Sequence, residues 1–214
     1  VLGLTLVMSH LACADQPGHP LNAAQLAAFR GVCALLPGVP ASLANSAGVF
    51  LGPDYAFDLV RPGIALYGGS AVNGAPNPMR PVATLEARIL QVRDVPPGET
   101  VGYGAAETVG RSSRIAVVGV GYADGYLRRA GATDARRGAS GFLRGRTVPL
   151  VGRVSMDLMA FDVTDVPDAV RGDWIELFGR HIAIDDVAAA AETIGYELLT
   201  GLGARYARTY VGGR

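Results

Sequence analysis

Apolar and polar positions in the first eighty residues alternate between a strand-like and a helix-like period. Leu2–Leu11 is an apolar run that predicts a strand covered on both faces, as in a parallel sheet. Asn22, with Gln25 three residues later, resembles the capping box of a helix that a Pro-Gly pair at 37–38 would end. Phe57–Val60 predicts the next extended piece. Strand, helix and strand with short connections predict right-handed parallel βα units, as in a TIM-type α/β barrel.

The pattern changes after Gly68–Pro81, a segment rich in Gly, Pro and Asn. Thr84–Val95 alternates apolar and polar residues, and a change of phase after Ile89 predicts a β-bulge. Further strands are predicted at Arg114–Val120, Thr147–Val163 and Trp174–Phe178, with one helix from about Asp185 to Thr193. We therefore predict a partial α/β barrel in residues 1–75, followed by a mostly antiparallel β domain in residues 76–214.

Composition narrows the class of protein. Hydrophobic residues make up 50% and charged residues 18% of the chain, which suits a buried globular core. The formal net charge is zero, so no electrostatic footprint for nucleic acid is visible. The arginine-rich stretch from Arg128 to Arg146 is interrupted by Gly and Ala, and we interpret it as a solvated loop. All 19 basic side chains are arginine, and lysine does not occur.

The first residues and the cysteines bear on the compartment. Val1–Ala14 is apolar, but it has no basic n-region, it contains His10, and it is too short to cross a bilayer. We predict neither a signal peptide nor a membrane partner, and interpret the run as a strand that begins in mid-fold without a turn or cap. Cys13 and Cys33 are too few for a disulfide framework and indicate a reduced, cytoplasmic setting. We predict no metal site.

Two turns in the barrel-like part offer groups to an anion. Asn45-Ser46, at a strand-to-helix turn, presents a hydroxyl and backbone N–H groups. Arg61-Pro-Gly-Ile64 places an arginine before a second set of backbone donors. His10 lies in an apolar run, where a core histidine with satisfied hydrogen bonds is the usual outcome. Each feature alone indicates little.

Three motifs in the second part also have ordinary structural interpretations. Two glycines flank Tyr103, yet a turn tyrosine usually packs its ring, and it becomes a base only where cationic neighbours lower its pKa. Gly119-x-Gly121 lacks the third glycine and the amphipathic helix of a dinucleotide loop. Strand alternation in Val151–Asp157 predicts a core position for Met156.

Taken together and in this order, the motifs resemble those of the alanine racemase family. The matching segments are Met8-Ser-His10 with Asp15, Asn45-Ser-Ala-Gly48, Val60-Arg-Pro-Gly-Ile-Ala-Leu-Tyr-Gly68, Val101-Gly-Tyr-Gly104, Gly121-Tyr-Ala-Asp-Gly125 and Gly152-Arg-Val-Ser-Met-Asp157. The resemblance extends from residue 4 to about residue 210.

The resemblance implies a bacterial enzyme that interconverts L-alanine and D-alanine with pyridoxal 5'-phosphate and supplies D-alanine for peptidoglycan. The cofactor would lie at the mouth of the α/β barrel, with its phosphate held by Ser46 and the backbone of Gly63 and Ile64. Arg61 would face the pyridine nitrogen, and His10 would hydrogen-bond Arg61. Because an arginine has a very high pKa, it would leave that nitrogen unprotonated.

The resemblance also implies how the substrate is handled. Tyr103 would be the base on one face of the substrate, and a lysine would serve the opposite face. Tyr122 and the backbone N–H of Met156 would position alanine and its carboxylate. In the family, Tyr103 and Met156 reach the site from the partner subunit, so the resemblance implies a homodimer with shared sites.

The chain departs from the family pattern in what it lacks. The Schiff-base lysine belongs to the N-terminal part of the barrel, so we expect these residues alone to be inactive. Half a barrel leaves sheet edges and apolar surface uncovered, and we expect poor solubility. Some members carry a phosphate-contacting tyrosine where this chain has Ala204, and Tyr206 or Tyr210 would have to replace it. Two alternatives stay open: a lysine-free, non-catalytic binding or dimerisation module, and a racemase of another amino acid such as serine.

Overall fold

The structure, a computed structural model, describes residues 3–212. The described residues form two compact units, the first ending at Val82 and the second beginning at Ala83. The helices and strands of the first unit are β1 (Val7–Met8), α1 (Pro20–Ala34), β2 (Ala41–Ser42) and α2 (Ser46–Phe50), with 3-10 turns at Pro53–Tyr55 and Ile64–Tyr67. A domain boundary after residue 75 stays a proposal.

Parallel strand pairing organises the first unit. β1 pairs with β2 in parallel, with Met8 opposite Ser42, and a single parallel bridge joins Asn45 to Arg61. This order confirms the partial α/β barrel. The strand predicted over Leu2–Leu11 is wrong in its burial, because Met8 is 61% exposed and β2 is its only strand partner within residues 3–212. Leu2 lies outside the described residues.

The extended piece predicted at Phe57–Val60 is wrong. The chain turns here, and Phe57 adopts a φ of +51°. The Phe57 ring packs edge-on against Phe29 of α1, with 5.0 Å between the ring centroids. Asp58 forms two hydrogen bonds with the backbone of Ala41. Its carboxylate accepts from the Ala41 N–H (2.8 Å), and its own N–H donates to the Ala41 carbonyl (3.1 Å). These contacts hold the segment as a turn against the start of β2.

Helix α1 begins earlier than the predicted cap at Asn22. Its N-cap is His19, whose Nδ1 accepts from the backbone N–H two residues on at 3.2 Å. Pro20 takes the first helical position, which costs nothing because a helix start leaves that N–H unpaired. Asn22 instead lies buried inside the helix with Leu26 and Phe29.

The second unit is a closed antiparallel barrel. Its strands and helices are β3 (Leu85–Val95), β4 (Thr100–Val101), β5 (Glu107–Thr108), β6 (Ser113–Val118), β7 (Ser140–Leu143), β8 (Arg146–Val151), β9 (Met159–Asp162), β10 (Trp174–Phe178), α3 (Ile184–Ala190) and α4 (Gly195–Gly201). The barrel order is β10-β3-β6-β9-β8-β7, and β4 and β5 form a separate hairpin. The antiparallel β domain is confirmed, while its closure into a barrel is additional to the prediction.

Strand β3 follows the sequence pattern closely. Leu85, Ala87 and Ile89 point into the barrel core and are nearly inaccessible. The register against β6 shifts between Ile89 and Gln91, so the predicted β-bulge is confirmed. Phe161 of β9 and Ile175 of β10 fill the same interior from the other strands.

The alternation predicted through Val151–Asp157 is wrong. β8 ends at Val151, and Gly152 takes a φ of +70°, so residues 152–158 form a loop between β8 and β9. Val154 is buried, but Met156 is 52% exposed. Met156 therefore lies at the surface of the second unit and is not a core residue.

The helical segment near the C-terminus contains two helices. The predicted helix from Asp185 to Thr193 corresponds to α3, and Gly195, expected beyond its end, is the first residue of α4. Leu198 of α4 and Val187 of α3 are both buried against the barrel core. None of the helices in residues 3–212 is long and apolar enough to cross a bilayer.

The arginine-rich stretch is not simply a solvated loop. The Arg136 guanidinium donates to three carbonyls of its own loop and to the Ala190 carbonyl (2.7 Å) at the end of α3. Arg144 pairs with Asp173 at 2.9 Å and with Asp168 at 3.3 Å. These arginines connect the loop to neighbouring elements.

Candidate active site

The structure gathers the predicted site residues into two groups, one in each unit. In the first unit, neutral acceptors hold the Arg61 guanidinium. Its Nη2 donates to the Ser9 carbonyl at 2.7 Å, and its Nη1 donates to the buried Ser42 hydroxyl. Among residues 3–212 it forms no ion pair with a carboxylate. Such an arginine keeps full charge and further N–H donors for a ligand.

His10 lies beside Arg61 and is exposed, so it is not a core histidine. Its Nδ1 is 3.4 Å from Nη2 of Arg61, and its Nε2 is 3.2 Å from Nδ2 of Asn45. The Asn45 amide is oriented by α2, because its Oδ1 accepts from the Gly48 N–H at 2.8 Å. A neutral imidazole has one donor and one acceptor, so His10 can accept from only one of its two neighbours.

Ser46, Gly63 and Ile64 meet at the turn after Arg61. The Ser46 hydroxyl is buried and accepts from the Gly63 N–H at 2.7 Å and from the Ala65 N–H at 3.4 Å. The Ile64 N–H has no acceptor within the described part of the chain. A Cβ built on Gly63 would meet no atom within 4 Å, so the space in front of this turn is open. Open space beside a hydroxyl and backbone donors fits an anionic group such as a phosphate.

In the second unit, Tyr103 stands at the tip of the β4–β5 hairpin. Gly102 (φ +85°) and Gly104 (φ +73°) form the turn, and the Tyr103 side chain is 72% exposed. The packed turn tyrosine, the ordinary alternative, is therefore not observed. A groove of about 420 Å³ lies beside it, between the hairpin and strands β6, β8 and β9. Its lining includes Arg153, whose Nη1 donates to the Tyr103 carbonyl at 3.3 Å.

Tyr122 and Met156 lie on two segments that are joined by backbone hydrogen bonds. The Tyr122 N–H donates to the Ser155 carbonyl at 3.0 Å, and the next N–H donates to the Met156 carbonyl at 2.9 Å. A Cβ on Gly121 would lie 2.3 Å from the Met156 carbonyl oxygen, so only glycine fits there. The Met156 N–H has no acceptor among residues 3–212, and it is available to a carboxylate.

An ion-pair cluster beneath Tyr122 and Met156 was not predicted. Arg205 bridges Asp157 (2.6 Å) and Asp124 (3.5 Å), and Asp124 also accepts from the Gly121 N–H at 2.9 Å. The hydrogen bond to Asp157, followed by the charge of Asp124, raises the pKa of the Arg205 guanidinium. The aspartates of the two motifs, Asp124 and Asp157, could have indicated a shared cationic partner. Nothing in the sequence indicated that Arg205 is that partner.

The two C-terminal tyrosines differ in accessibility. The Tyr206 hydroxyl is buried in the second unit and has no partner among the described residues. Burial, and then the nearby Asp124 carboxylate, raise the pKa of Tyr206. Tyr210 is 87% exposed. Of the pair, Tyr210 is exposed, whereas Tyr206 is partly buried and its hydroxyl is inaccessible.

Comparison with known proteins identifies two family models in the chain. Residues 2–71 match "Alanine racemase, N-terminal domain" and residues 82–210 match "Alanine racemase, C-terminal domain". The chain is 65% identical to the alanine racemase of Rhizobium meliloti over 97% of its own length and 57% of the relative's.

Solved structures agree with this assignment. The biosynthetic alanine racemase of Pseudomonas aeruginosa superposes with a TM-score of 0.86 at 42% identity, covering 96% of this chain and 56% of that one. The alanine racemase of Bartonella henselae, solved with covalently bound pyridoxal phosphate, superposes with a TM-score of 0.86 at 42% identity. The match covers 98% of this chain and 57% of that one. The chain thus spans little more than half the length of these relatives, and over that length it belongs to the alanine racemase family.

Proposed function

We propose that residues 1–214 supply the C-terminal part of a pyridoxal-phosphate-dependent alanine racemase, which makes D-alanine for peptidoglycan in the bacterial cytoplasm. One observation carries the proposal: an arginine held only by neutral acceptors stands beside an open turn with hydroxyl and backbone donors. The family assignment supports it, and the Bartonella henselae structure contains that cofactor.

The groups of the first unit fit the cofactor. Ser46 would donate its hydroxyl hydrogen and Ile64 its free N–H to the phosphate, in the open space in front of Gly63, whose N–H holds the Ser46 oxygen at 2.7 Å. Arg61 would donate to the pyridine nitrogen without protonating it. His10 would limit the movement of Arg61 through the 3.4 Å contact. When bound, the cofactor supplies the electron sink that makes the α-proton of an amino acid acidic.

The groups of the second unit fit the substrate. As a phenolate, the exposed Tyr103 would take up the α-proton on one face and become a phenol, and in the reverse direction the phenol would return the proton to that face. The free Met156 N–H would bind the alanine carboxylate, and Tyr122 would bound the space around it. A lysine on the opposite face must come from outside these 214 residues, because they contain none.

A fusion protein tests the proposal. It joins the N-terminal part of the Rhizobium meliloti racemase, which precedes the region matched here, to residues 1–214. We expect the fusion to convert L-alanine into D-alanine and residues 1–214 alone to be inactive, as measured by chiral chromatography of the product. Tyr103→Phe should lower the rate by about 100-fold or more. L-serine is the comparison substrate, and a folded, cofactor-loaded fusion that racemises neither amino acid would refute the proposal.

We also propose that the sites are shared within a homodimer, with Tyr103 and Met156 of one subunit serving the cofactor of the other. Two inactive variants of the fusion, Tyr103→Phe and Arg61→Ala, test this when co-expressed. In mixed dimers one site has both residues intact, so random pairing should restore about a quarter of the wild-type activity. Sites built within single subunits would give no recovery.

A further inference from the structure

We propose that Glu107 is a positioning residue that fixes the hairpin carrying Tyr103 against the segment carrying Met156. Glu107 is paired with Val101 across the β4–β5 hairpin, and its partly buried side chain leaves the hairpin. Its Oε2 accepts from the Gly152 N–H at 2.6 Å, where the chain leaves β8. Glu107 therefore connects two segments that are 45 residues apart in sequence.

The two backbones touch at this point. A Cβ on Gly152 would lie 2.7 Å from the Val101 carbonyl oxygen, and a Cβ on Gly102 would lie 2.8 Å from the Arg153 nitrogen. Both glycines have positive φ, so side chains are excluded by conformation and by space. A second hydrogen bond, from Arg153 Nη1 to the Tyr103 carbonyl, lies on the far side of the same contact.

The hairpin depends on these bonds because it is short. Its strands form two residue pairs, beyond which Val109 exchanges backbone hydrogen bonds with Gly98 and Glu99 at 2.8 Å, and a two-stranded hairpin is marginally stable by itself. Glu107 holds one residue pair, and Asp134 holds the other by accepting from the N–H (2.6 Å) and hydroxyl (3.0 Å) of Thr108. Hydrogen bonds to an ionised carboxylate are about twice as strong as neutral ones.

The consequence concerns the position of the proposed base, Tyr103, relative to the N–H group of Met156 that would bind the substrate carboxylate. Met156 follows Gly152 by four residues, and Tyr103 precedes Glu107 by four. Linking Gly152 to Glu107 makes the Tyr103 hydroxyl and the Met156 N–H move as one body. This consequence rests on the proposed function, since it concerns proton transfer to a substrate whose carboxylate Met156 holds. Misplacement of such groups by about 1 Å costs on the order of 100-fold in rate.

The kinetic test uses the fusion protein. Glu107→Ala should lower kcat by about 10-fold or more and change KM by less than about 3-fold, since only the reacting geometry is lost. Glu107→Gln keeps an oxygen acceptor and should retain kcat within about 3-fold of wild type. The control is Glu99→Ala, an exposed glutamate next to β4, which should leave both constants unchanged.

Amide hydrogen exchange on the same fusion supplies a readout without activity. Glu107→Ala should speed exchange at Gly152 and across residues 101–106, and leave the barrel strands protected. Glu107→Asp keeps the charge but has a shorter side chain, so it should speed exchange at the same residues by a smaller factor. It replaces Glu107→Ala in the test if the alanine variant does not fold. Faster exchange in a fusion without racemase activity would leave the positioning role standing and refute the proposed function. Unchanged exchange at Gly152, or unchanged kcat, would overturn the role of Glu107.

Discussion

Two buried tyrosine hydroxyls, those of Tyr126 and Tyr206, make the stability of the second unit depend on pH. Burial first, and then Tyr206, raise the pKa of Tyr126, while burial and Asp124 raise the pKa of Tyr206. In each case the folded chain holds the phenolic proton to higher pH than the unfolded chain does. The stability that this provides is complete below the ordinary tyrosine pKa, near 10, and is lost as the pH rises above it.

The variant Tyr126→Phe should not destabilise the protein at neutral pH. The Tyr126 hydroxyl has no hydrogen-bond partner in residues 3–212, so its removal loses no bond and relieves a buried polar group. Urea denaturation of the fusion should show unchanged stability or a gain of up to about 1 kcal/mol. The loss of stability above about pH 10 should also shrink. Tyr210→Phe, at an exposed position, should change neither quantity. A loss above about 1 kcal/mol at neutral pH would reveal a hydrogen bond to the Tyr126 hydroxyl.

Glu176 stabilises the turn after β10 in its ionised form. Burial raises the pKa of its carboxyl, but hydrogen bonds from the His181 ring (2.8 Å) and from the N–H groups of His181 and Ile182 outweigh this and hold the pKa below its usual value. A lowered folded pKa contributes stability that is present above the ordinary carboxyl value. That contribution disappears as the pH falls through the folded value.

Glu176→Gln should therefore cost stability at neutral pH and little in acid. Replacing the ionised acceptor should cost about 1.5–3 kcal/mol at pH 7, and the difference from wild type should narrow toward about pH 3. Thermal denaturation across this range measures both. Glu99→Gln is the control because its side chain is exposed. A difference that does not depend on pH would mean that the charge of Glu176 is not responsible.

At the scale of elements, Arg136 fastens the loop after Arg129 to the C-terminus of α3. The last carbonyls of a helix have no partner within the helix, and the Arg136 guanidinium donates to one of them, at Ala190. It also donates to the carbonyls of Arg129 and Gly131. Arg136→Ala should lower the free energy of unfolding by about 1.5–3 kcal/mol. The neighbouring Arg137→Ala should stay within about 0.5 kcal/mol of wild type, since that side chain is exposed. Equal effects of the two variants in urea denaturation would contradict the role of Arg136.

The elements that follow from sequence are those in which local pattern and tertiary contacts agree. β10 has the predicted limits Trp174–Phe178, and β3 has its predicted face and bulge. β7 was missed because it lies within the arginine-rich stretch from Arg128 to Arg146, which we interpreted as a solvated loop on account of its Gly and Ala residues. In the barrel, the position of a Cβ on Gly141 is 2.5 Å from the Ile175 side chain, so the glycine serves packing. That distance depends on β10, and no local pattern reports it.

The site follows from sequence only in part, for a related reason. Motifs indicated Arg61 and Ser46, but Ser42 as the acceptor for Arg61 depends on the parallel bridge that places Arg61 beside the end of β2. The exposure of Met156 depends on the positive φ of Gly152, which breaks a strand that the apolar pattern would continue. Contacts that depend on backbone conformation and strand pairing cannot be predicted from the spacing of residues along the chain.

At the scale of the whole molecule, the first unit exposes an unusual amount of apolar surface. The exposed side chains include Leu4, Met8, Val49, Phe50, Leu59, Val60, Leu66 and Tyr67. We expect residues 1–214 alone to bind a hydrophobic dye and to form aggregates at micromolar concentration, and the fusion to bind no dye and to sediment as a homodimer. Dye fluorescence and sedimentation velocity measure the two. A dye-silent, monodisperse preparation of residues 1–214 would show that this surface is covered within the chain itself.

The pairing of β3 with β10 determines the order in which the second unit can form during synthesis. The barrel closes when its first strand, β3, pairs with its last, β10. Leu85 can pair with Phe178 only after β10 has been synthesised. A nascent chain that ends before Trp174 holds an open sheet whose free edges, β3 and β7, are the two that β10 later joins. Ribosome-bound intermediates of that length carry unpaired strand edges, which are templates for association with neighbouring chains. Because β10 is synthesised after the other barrel strands, the interval before Trp174 leaves the ribosome is the period in which the second unit is most exposed to association with other chains.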